Sequence, residues 1–322
     1  MKNIKLFHIL LILLSSIVFY YLYRIHILLK SFDDDESSSS ELWLFDYNNY
    51  EIITDQRYKT RLSQCKNEVY YDSRKTKSIW TFLVVDKKND LNYAQSAIKL
   101  IKSIKMNTND FDSYEFFILE LSEKPLRVRF NLETSGWKIC TVDRIPPRDE
   151  LKTYPKFRDQ FTKLVLWNMT QFKTVNYFDS DTFVIGNIDI LLNMGNHLNE
   201  VKKIGVTRDI RDGRWQQTFN MGVFVIQPNQ REFERLIKLK DEFNFKYEDK
   251  MAEQGFLNEV YKSPNDWYDI GFEYNANLAA YTDYWSVWKK YEKDIRVIHF
   301  TMTKPWNCWF SYQKICDLWI KF

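Results

Sequence analysis

The chain has 322 residues, of which 45% are hydrophobic and 17% aromatic, so it holds enough apolar material for one large domain or two small ones. Its 46 basic and 43 acidic side chains give a formal net charge of +3. A charge this close to balance gives no reason to expect a nucleic-acid partner, and we predict none.

The amino-terminal segment, residues 1–30, indicates where the protein resides. Residues 6–23 form an apolar run without Asp, Glu, Lys or Arg, and Lys2 and Lys5 precede it. The run has about the length of one membrane crossing, roughly 20 residues. A cleavable signal peptide has a shorter apolar core and a small-residue cleavage site. Residues 1–30 are therefore predicted to be a cytoplasmic tip and a retained signal anchor, and a buried helix is the alternative.

This anchor would make the chain a single-pass type II membrane protein of the Golgi or endoplasmic reticulum, held in the lipid bilayer by residues 6–23. Residues 31–76 are acidic, serine-rich and polar, and they are predicted to form a stem that does not pack against the folded domain. The folded domain is predicted to span residues 77–322 and to lie in the lumen.

The cysteines lack the spacing of a metal site. In an oxidising lumen, one or two disulfides are expected among Cys65, Cys140, Cys308 and Cys316. Cys308 and Cys316 are the first candidate pair.

From Lys77 onward, short apolar segments alternate with amphipathic ones. Helices are predicted over 93–105, where apolar residues repeat along one side, and over 161–168. Strands are predicted over 79–85, 114–119, 137–142, 174–178, 219–226 and 295–300. This alternation predicts an α/β fold with a mostly parallel central sheet flanked by helices on both faces.

Two carboxylates one residue apart follow the predicted strand 174–178. Residues i and i+2 of an extended chain point to the same face, so Asp179 and Asp181 can both reach one divalent cation. The acidic run 33–35 contains the same triplet, but it lies in the predicted stem. In α/β folds, ligands gather beyond the carboxyl ends of strands, where Asp179, Asp181 and His299 fall. The sequence therefore predicts a metal-dependent ligand site at this edge of the sheet.

Five segments between Lys77 and Trp306 occur in an order that resembles glycosyltransferase family 8, the glycogenin-like group. The segments are FTKLVLW at 161–167, FDSDTFVIGNID at 178–189, FNMGVFV at 219–225, EQGFLN at 253–258 and HFTMTKPW at 299–306. The last segment is one residue shorter between His299 and Lys304 than in glycogenin, which suits the membrane-anchored branches of the family better. The resemblance implies a nucleotide-sugar-binding fold of the GT-A type, a UDP-sugar donor, manganese, and transfer with retention at the anomeric carbon.

The metal prediction has a chemical basis beside the resemblance. Two carboxylates and one imidazole suit Mn²⁺ better than Mg²⁺, which prefers oxygen ligands and remains possible. Asp179, Asp181 and His299 are therefore the predicted metal ligands. For His299, the alternative is a buried, hydrogen-bonded histidine at a strand end.

The resemblance also implies the residues that bind the donor and act on it. A tyrosine can stack on uracil, a lysine can approach the phosphates, and an amide can bind sugar hydroxyls. The predicted donor-binding residues are Tyr93, Lys163, Asp179, Ser180, Asp181, Asn220, Gly222 and Lys304. The predicted catalytic residues are Asp212, Glu253 and Gln254. Glu253 departs from the aspartate of the glycogenin group, which moves its carboxylate one methylene further from the backbone.

The predicted function is a manganese-dependent retaining glycosyltransferase that moves N-acetylglucosamine or a hexose from a UDP-sugar to a glycan or glycoprotein. One alternative is a non-catalytic lumenal sugar-binding or scaffold protein, but such a protein would lose metal ligands, and all three are present. Another is a glycogenin-like self-glucosylating primer, for which Tyr281 and Tyr284 are the candidate acceptors. A nucleotidyl or phosphoryl transferase would need a Gly-rich phosphate loop, which the sequence lacks.

Overall fold

The computed structural model describes residues 72, 74–83, 90–121, 124–199 and 201–322. The predicted signal anchor, residues 6–23, lies outside these ranges, as does almost all of the predicted stem. Within the ranges described, none of the helices has both the length and the apolar character needed to cross a membrane.

The described chain begins its regular structure at Lys77, the predicted start of the domain. The strands are β1 Lys77–Phe82, β2 Tyr114–Glu120, β3 Lys138–Thr141, β4 Thr174–Phe178, β5 Thr182–Val184, β6 Ile204–Arg211, β7 Arg214–Ile226, β8 Trp267–Asp269, β9 Ala276–Asn277 and β10 Val297–His299. The α-helices are α1 Asp90–Met106, α2 Leu126–Ser135, α3 Asp189–Leu192, α4 Gln230–Asp241, α5 Ala252–Val260, α6 Ala279–Thr282, α7 Trp285–Tyr291 and α8 Gln313–Ile320.

Seven strands form the central sheet, in the order β3-β2-β1-β4-β7-β6-β8. Neighbouring strands run parallel except at β7, which is antiparallel to both β4 and β6. The turn between β6 and β7 explains the reversal, because Asp212 and Gly213 both have positive φ, 52° and 68°. An Asp-Gly pair in this conformation is typical of tight β-hairpins. The predicted mostly parallel sheet is confirmed, with this hairpin added.

The core lies on both faces of the central sheet, as predicted. In β1, Ile79 packs with α1 and α2, whereas its neighbour Trp80 packs on the other face with residues of α4 and α5. Both side chains are fully buried. A strand buried on both faces reads as a continuous apolar run, which is why β1, β2 and β4 were predictable.

A second, smaller sheet has the order β5-β10-β9. β10 pairs antiparallel with β5 and parallel with β9. Its strands are short, two or three residues in each case. This sheet carries His299, and it was not predicted as a separate sheet because strands this short show no periodicity.

The structure corrects two of the predicted elements and confirms the predicted disulfide. The predicted α-helix over 161–168 is instead a 3-10 helix, Gln160–Asn168. β7 begins at Arg214, earlier than predicted, because its first half is exposed and polar rather than apolar. The disulfide Cys308–Cys316 is confirmed. Cys140 is buried and takes no part in this disulfide, and Cys65 lies outside the described residues.

Candidate active site

The candidate metal ligands come from two sheets that meet at one edge. β4 ends at Phe178, and the next three residues form the turn that leads into β5. In the second sheet, Thr182 at the start of β5 lies opposite His299 at the end of β10. This strand pairing brings His299 beside Asp179 and Asp181, which lie far from it in the sequence.

Three potential ligand atoms converge at this edge. Nε2 of His299 lies 3.6 Å from Oδ2 of Asp179 and 3.5 Å from Oδ1 of Asp181. The other ring nitrogen, Nδ1, donates a hydrogen bond of 2.9 Å to Oδ1 of Asn275. A neutral ring with its proton on Nδ1 directs the lone pair of Nε2 toward the two carboxylates. Two carboxylates and one imidazole nitrogen whose ligand atoms lie within 4.8 Å of one another fit a divalent cation.

A lysine adds a positive charge next to the two carboxylates of this turn. Nζ of Lys304 donates hydrogen bonds to Oδ2 of Asp181 and, over 2.9 Å, to the carbonyl of Phe300. Burial opposes the ionisation of Asp181, but the ammonium of Lys304 outweighs it and holds the pKa of this carboxyl well below its usual range. Asp181 is therefore a carboxylate, as a metal ligand must be.

A second lysine is buried between two carboxylates on the other side of the turn. Nζ of Lys163 lies 2.8 Å from Oδ1 of Asp179 and 3.0 Å from Oε1 of Glu253. The hydroxyl of Tyr177 donates a hydrogen bond of 2.7 Å to the same oxygen of Asp179. Burial alone would lower the pKa of Lys163, but Asp179 and Glu253 outweigh it and raise this pKa above its usual range. The side chain of Lys163 is only 3% exposed.

Amide side chains line the site next to the histidine. Nδ2 of Asn220 donates to Oε1 of Gln254 over 3.3 Å, and the backbone N–H of Met221 donates to the same oxygen over 3.2 Å. Among the described residues, none accepts a hydrogen bond from Nε2 of Gln254. The carbonyl oxygen of Gln254 is therefore committed to the protein, and its N–H groups remain for a bound sugar.

These groups share one cavity of about 690 Å³, a size that suits a nucleotide-sugar-like ligand. Ser180 is a buried member of its wall, and Tyr93 lines it while packing edge-on against Trp306 at 4.9 Å between ring centroids. The structure brings together eleven of the predicted site residues: Tyr93, Lys163, Asp179, Ser180, Asp181, Asn220, Gly222, Glu253, Gln254, His299 and Lys304.

Asp212 is the predicted residue that the structure does not bring to this cavity. It occupies the tight turn between β6 and β7, where its backbone N–H donates to the hydroxyl of Tyr284 over 2.8 Å. Asp209, three residues earlier, lines the cavity instead. The pairing of β6 with β7 shifts register between Val206 and Thr207 and again between Arg208 and Ile210. Spacing along the sequence therefore does not tell which aspartate faces the cavity. The sequence signal for Asp209 is its place before an Asp-Gly turn.

Comparisons with known proteins concern the family and the fold of this chain. The model of the family described as glycosyl transferase family 8 matches residues 87–310. Glycogenin-1 of Caenorhabditis elegans is 28% identical over 224 residues, which are 67% of this chain and 48% of that protein. Glycogenin-1 of Oryctolagus cuniculus is 28% identical over 226 residues, 67% of this chain and 62% of that protein. The chain thus spans about half to two thirds of the length of these relatives.

A further relative is the UDP-glucuronate:xylan alpha-glucuronosyltransferase 1 of Arabidopsis thaliana, which is 28% identical over 193 residues, 57% of this chain and 26% of that protein.

Two solved structures share the fold. The apo form of mouse xyloside xylosyltransferase 1 has a TM-score of 0.50 and 11% identity, and the match covers 70% of this chain and 98% of that one. The apo structure of the WbbM bifunctional glycosyltransferase has a TM-score of 0.51 and 16% identity, with 75% and 48% covered. At these identities the likeness concerns the fold alone, and it supports the predicted GT-A-like α/β fold. Because the family model matches most of the chain and contains the converging Asp179, Asp181 and His299, the chain belongs to glycosyl transferase family 8.

Proposed function

We propose that the protein is a manganese-dependent glycosyltransferase that moves an uncharged sugar from a UDP-sugar to a glycan or glycoprotein, with retention at the anomeric carbon. The observation that carries this proposal is the convergence of Asp179, Asp181 and Nε2 of His299 in the wall of a cavity that can hold a nucleotide sugar. A non-catalytic descendant would have no need to keep all three.

The residues of the cavity divide the work of donor binding. Asp179, Asp181 and His299 hold Mn²⁺, which when bound stabilises the negative charge that grows on the departing UDP. Lys304 adds a half-buried positive charge beside Asp181, where it favours the phosphate groups of the same leaving group. Tyr93, at the start of α1, presents a ring on which the flat uracil base can stack.

The charge of the cavity favours an uncharged donor sugar. Asp209 and Glu253 contribute carboxylates to the wall. The buried Lys163 and the half-buried Lys304 already contact carboxylates of the protein. The remaining lysine of the wall, Lys156, is exposed. The carboxylate of a uronic acid would add a charge of the same sign without a buried partner, so a hexose or N-acetylglucosamine suits this cavity better than glucuronate.

For the transfer itself, we favour attack on the face that UDP leaves. A double displacement needs a carboxylate that is free to attack the anomeric carbon. Glu253, which stands next to Gln254, is held by Lys163 instead. In the front-face reaction the acceptor oxygen bonds to the anomeric carbon, the bond from that carbon to the UDP oxygen breaks, and the hydroxyl proton passes to the departing diphosphate.

We also propose that the domain works in the lumen of the secretory pathway, anchored by residues 6–23. The disulfide Cys308–Cys316 supports an oxidising compartment. Alkaline carbonate extraction of cell membranes tests the anchor: the protein should stay in the membrane pellet, and release into the supernatant would contradict the proposal.

UDP release by the full chain in mild detergent tests the activity. The donors are UDP-glucose, UDP-galactose, UDP-N-acetylglucosamine, UDP-xylose and UDP-glucuronate, each with Mn²⁺ and with EDTA. We expect release with an uncharged sugar, its loss with EDTA and in Asp181→Asn, and unchanged release in the exposed matched variant Asp294→Asn. Release with UDP-glucuronate alone would overturn the donor assignment, and release that survives both EDTA and Asp181→Asn would overturn the metal assignment.

A further inference from the structure

We propose that Asn275 is a positioning residue that couples the metal-binding histidine to the amides that face the sugar. The proposal rests on the proposed function for its meaning, but its geometry rests on hydrogen bonds observed in the structure. Asn275 belongs to none of the predicted motifs, and its side chain is 1% exposed.

The side chain of Asn275 lies between two predicted site residues and contacts both. Its Oδ1 accepts the hydrogen bond of 2.9 Å from Nδ1 of His299. Its Nδ2 donates a hydrogen bond of 2.9 Å to Oδ1 of Asn220. Asn220 in turn donates from its own Nδ2 to Oε1 of Gln254. A continuous chain of hydrogen bonds therefore runs from the imidazole to the amide of Gln254.

The direction of this chain is fixed from one end to the other. Oδ1 of Asn220 also accepts from the backbone N–H of Gly222 over 2.9 Å, and a backbone amide can only donate. Oδ1 of Asn220 is therefore an acceptor, so Nδ2 of Asn275 must be its donor, and Oδ1 of Asn275 must face His299. The histidine consequently keeps its proton on Nδ1 and offers Nε2 to the metal.

The backbone holds Asn275 rigidly at this place. A 3-10 helix, Phe272–Tyr274, ends just before it, and β9 begins just after it. β9 pairs parallel with β10, with Ala276 opposite Ile298 and Asn277 opposite His299. Asn275 thus lies directly before the strand that pairs with the strand of the histidine, and this pairing places the two side chains next to each other.

Two substitutions separate the two contacts. Asn275→Asp keeps an oxygen that accepts from His299 but loses the N–H that donates to Asn220. Asn275→Leu has a similar size and loses both contacts. The coupling therefore predicts that aspartate preserves the metal site and disturbs only the sugar side, whereas leucine disturbs both.

Two binding measurements, neither of which depends on catalytic turnover, report separately on the metal site and on the residues that face the sugar. Free Mn²⁺, measured by electron paramagnetic resonance during a titration in the presence of UDP, gives the affinity of the metal site. Calorimetric titration with UDP and with UDP-glucose, both with Mn²⁺, gives the additional affinity that the sugar contributes. Near-ultraviolet circular dichroism checks that each variant is folded, and the exposed Asn193→Asp serves as the matched control.

For Asn275→Leu, we expect Mn²⁺ affinity to fall by about 10 to 100-fold, the usual effect of losing the partner of a metal-binding histidine. For Asn275→Asp, we expect Mn²⁺ affinity to stay within about threefold of the natural protein or to rise. The extra affinity of UDP-glucose over UDP should fall at least about fivefold, because a carboxylate at 275 faces the acceptor oxygen of Asn220.

Folded Asn275→Leu that binds Mn²⁺ as the natural protein does would overturn the proposal. So would Asn275→Asp that weakens Mn²⁺ binding as much as leucine, or that leaves the sugar contribution unchanged. If the natural protein binds Mn²⁺ and UDP but transfers no sugar, the proposed function fails, while the Mn²⁺ comparison still decides the role of Asn275.

Discussion

His299 lies in the space that Gly222 leaves by having no side chain. A Cβ at Gly222 would stand 2.1 Å from Cε1 of His299 and 2.3 Å from its Nδ1, well inside any real contact. The resemblance placed Gly222 among the predicted donor-binding residues. The structure gives a nearer reason, because the glycine of β7 admits the imidazole ring that points at Asp179 and Asp181.

Gly222→Ala is therefore expected to displace the His299 ring and weaken Mn²⁺ binding by at least about tenfold. The measurement is Mn²⁺ affinity in the presence of UDP. Gly205→Ala is the matched control in the neighbouring strand, where the added Cβ would lie 3.1 Å from a movable methyl group of Ile270. Equal Mn²⁺ affinity in Gly222→Ala and the natural protein would show that the ring has another place to go.

Lys163 holds two carboxylates in the buried half of the site. Lys163→Met is expected to lower the free energy of unfolding by about 3 to 5 kcal/mol, because Glu253 would lose its buried cationic partner. The double variant Lys163→Met with Glu253→Gln should recover part of this loss. Urea unfolding of the natural protein, the two single variants and the double variant measures the coupling between the two side chains.

The control for Lys163 has the same ion-pair distance at the surface. Lys262 lies 3.0 Å from Glu259 but is 75% exposed, so Lys262→Met should cost less than about 1 kcal/mol. If the effects of Lys163→Met and Glu253→Gln simply add, the pair does not hold the site together.

Substitution of Asp209 and of Asp212 tests which of the two aspartates contributes to the reaction of the UDP-sugar. Asp209 lines the cavity, where burial raises the pKa of its carboxyl, whereas Asp212 lies in the hairpin turn. Asp209→Asn should reduce kcat/KM for the preferred UDP-sugar about 10 to 100-fold, the loss expected for one hydrogen bond to a charged group. Asp212→Asn should leave kcat/KM within about twofold, and the reverse pattern would restore the assignment made from the sequence.

Asp189 is the last residue of the segment 178–189, which carries Asp179 and Asp181. It is expected to make the free energy of unfolding depend on pH. Burial alone would raise its pKa, but hydrogen bonds from Thr108, Asn187 and Asn109 outweigh it and lower the pKa in the folded protein. A carboxyl with a depressed folded pKa contributes stability above its unfolded pKa of about 3.9, and this contribution is lost progressively as the pH falls from there through the lower folded pKa.

We therefore expect the natural protein to be more stable than Asp189→Asn at pH 6, and the difference in the free energy of unfolding to shrink between about pH 5 and pH 3. Urea unfolding of both proteins across this range is the measurement. A difference that stays constant with pH would mean that the charge of Asp189 is not what its hydrogen bonds stabilise.

Local pattern was sufficient for much of the fold. β1, β2 and β4 are short runs buried on both faces, and α1 shows its buried side every three or four residues, so each was visible without tertiary information. The pair Asp179 and Asp181 was recognisable because it follows β4 directly. The sheet of β5, β10 and β9 was not, since its strands are two or three residues long and their identity depends on their partners.

By itself, the sequence indicated the family, the three residues of the candidate metal site and the disulfide partners of this protein, because these depend on residue identity and order and, for the aspartates and the cysteines, on short spacing. Only the tertiary structure decided that Lys163 is buried between carboxylates, that Asp209 rather than Asp212 reaches the cavity, and that Asn275 holds His299. These relationships depend on register between strands far apart in the chain, where a shift of one residue turns each side chain to the opposite face. This register cannot be derived from the spacing of residues along the sequence.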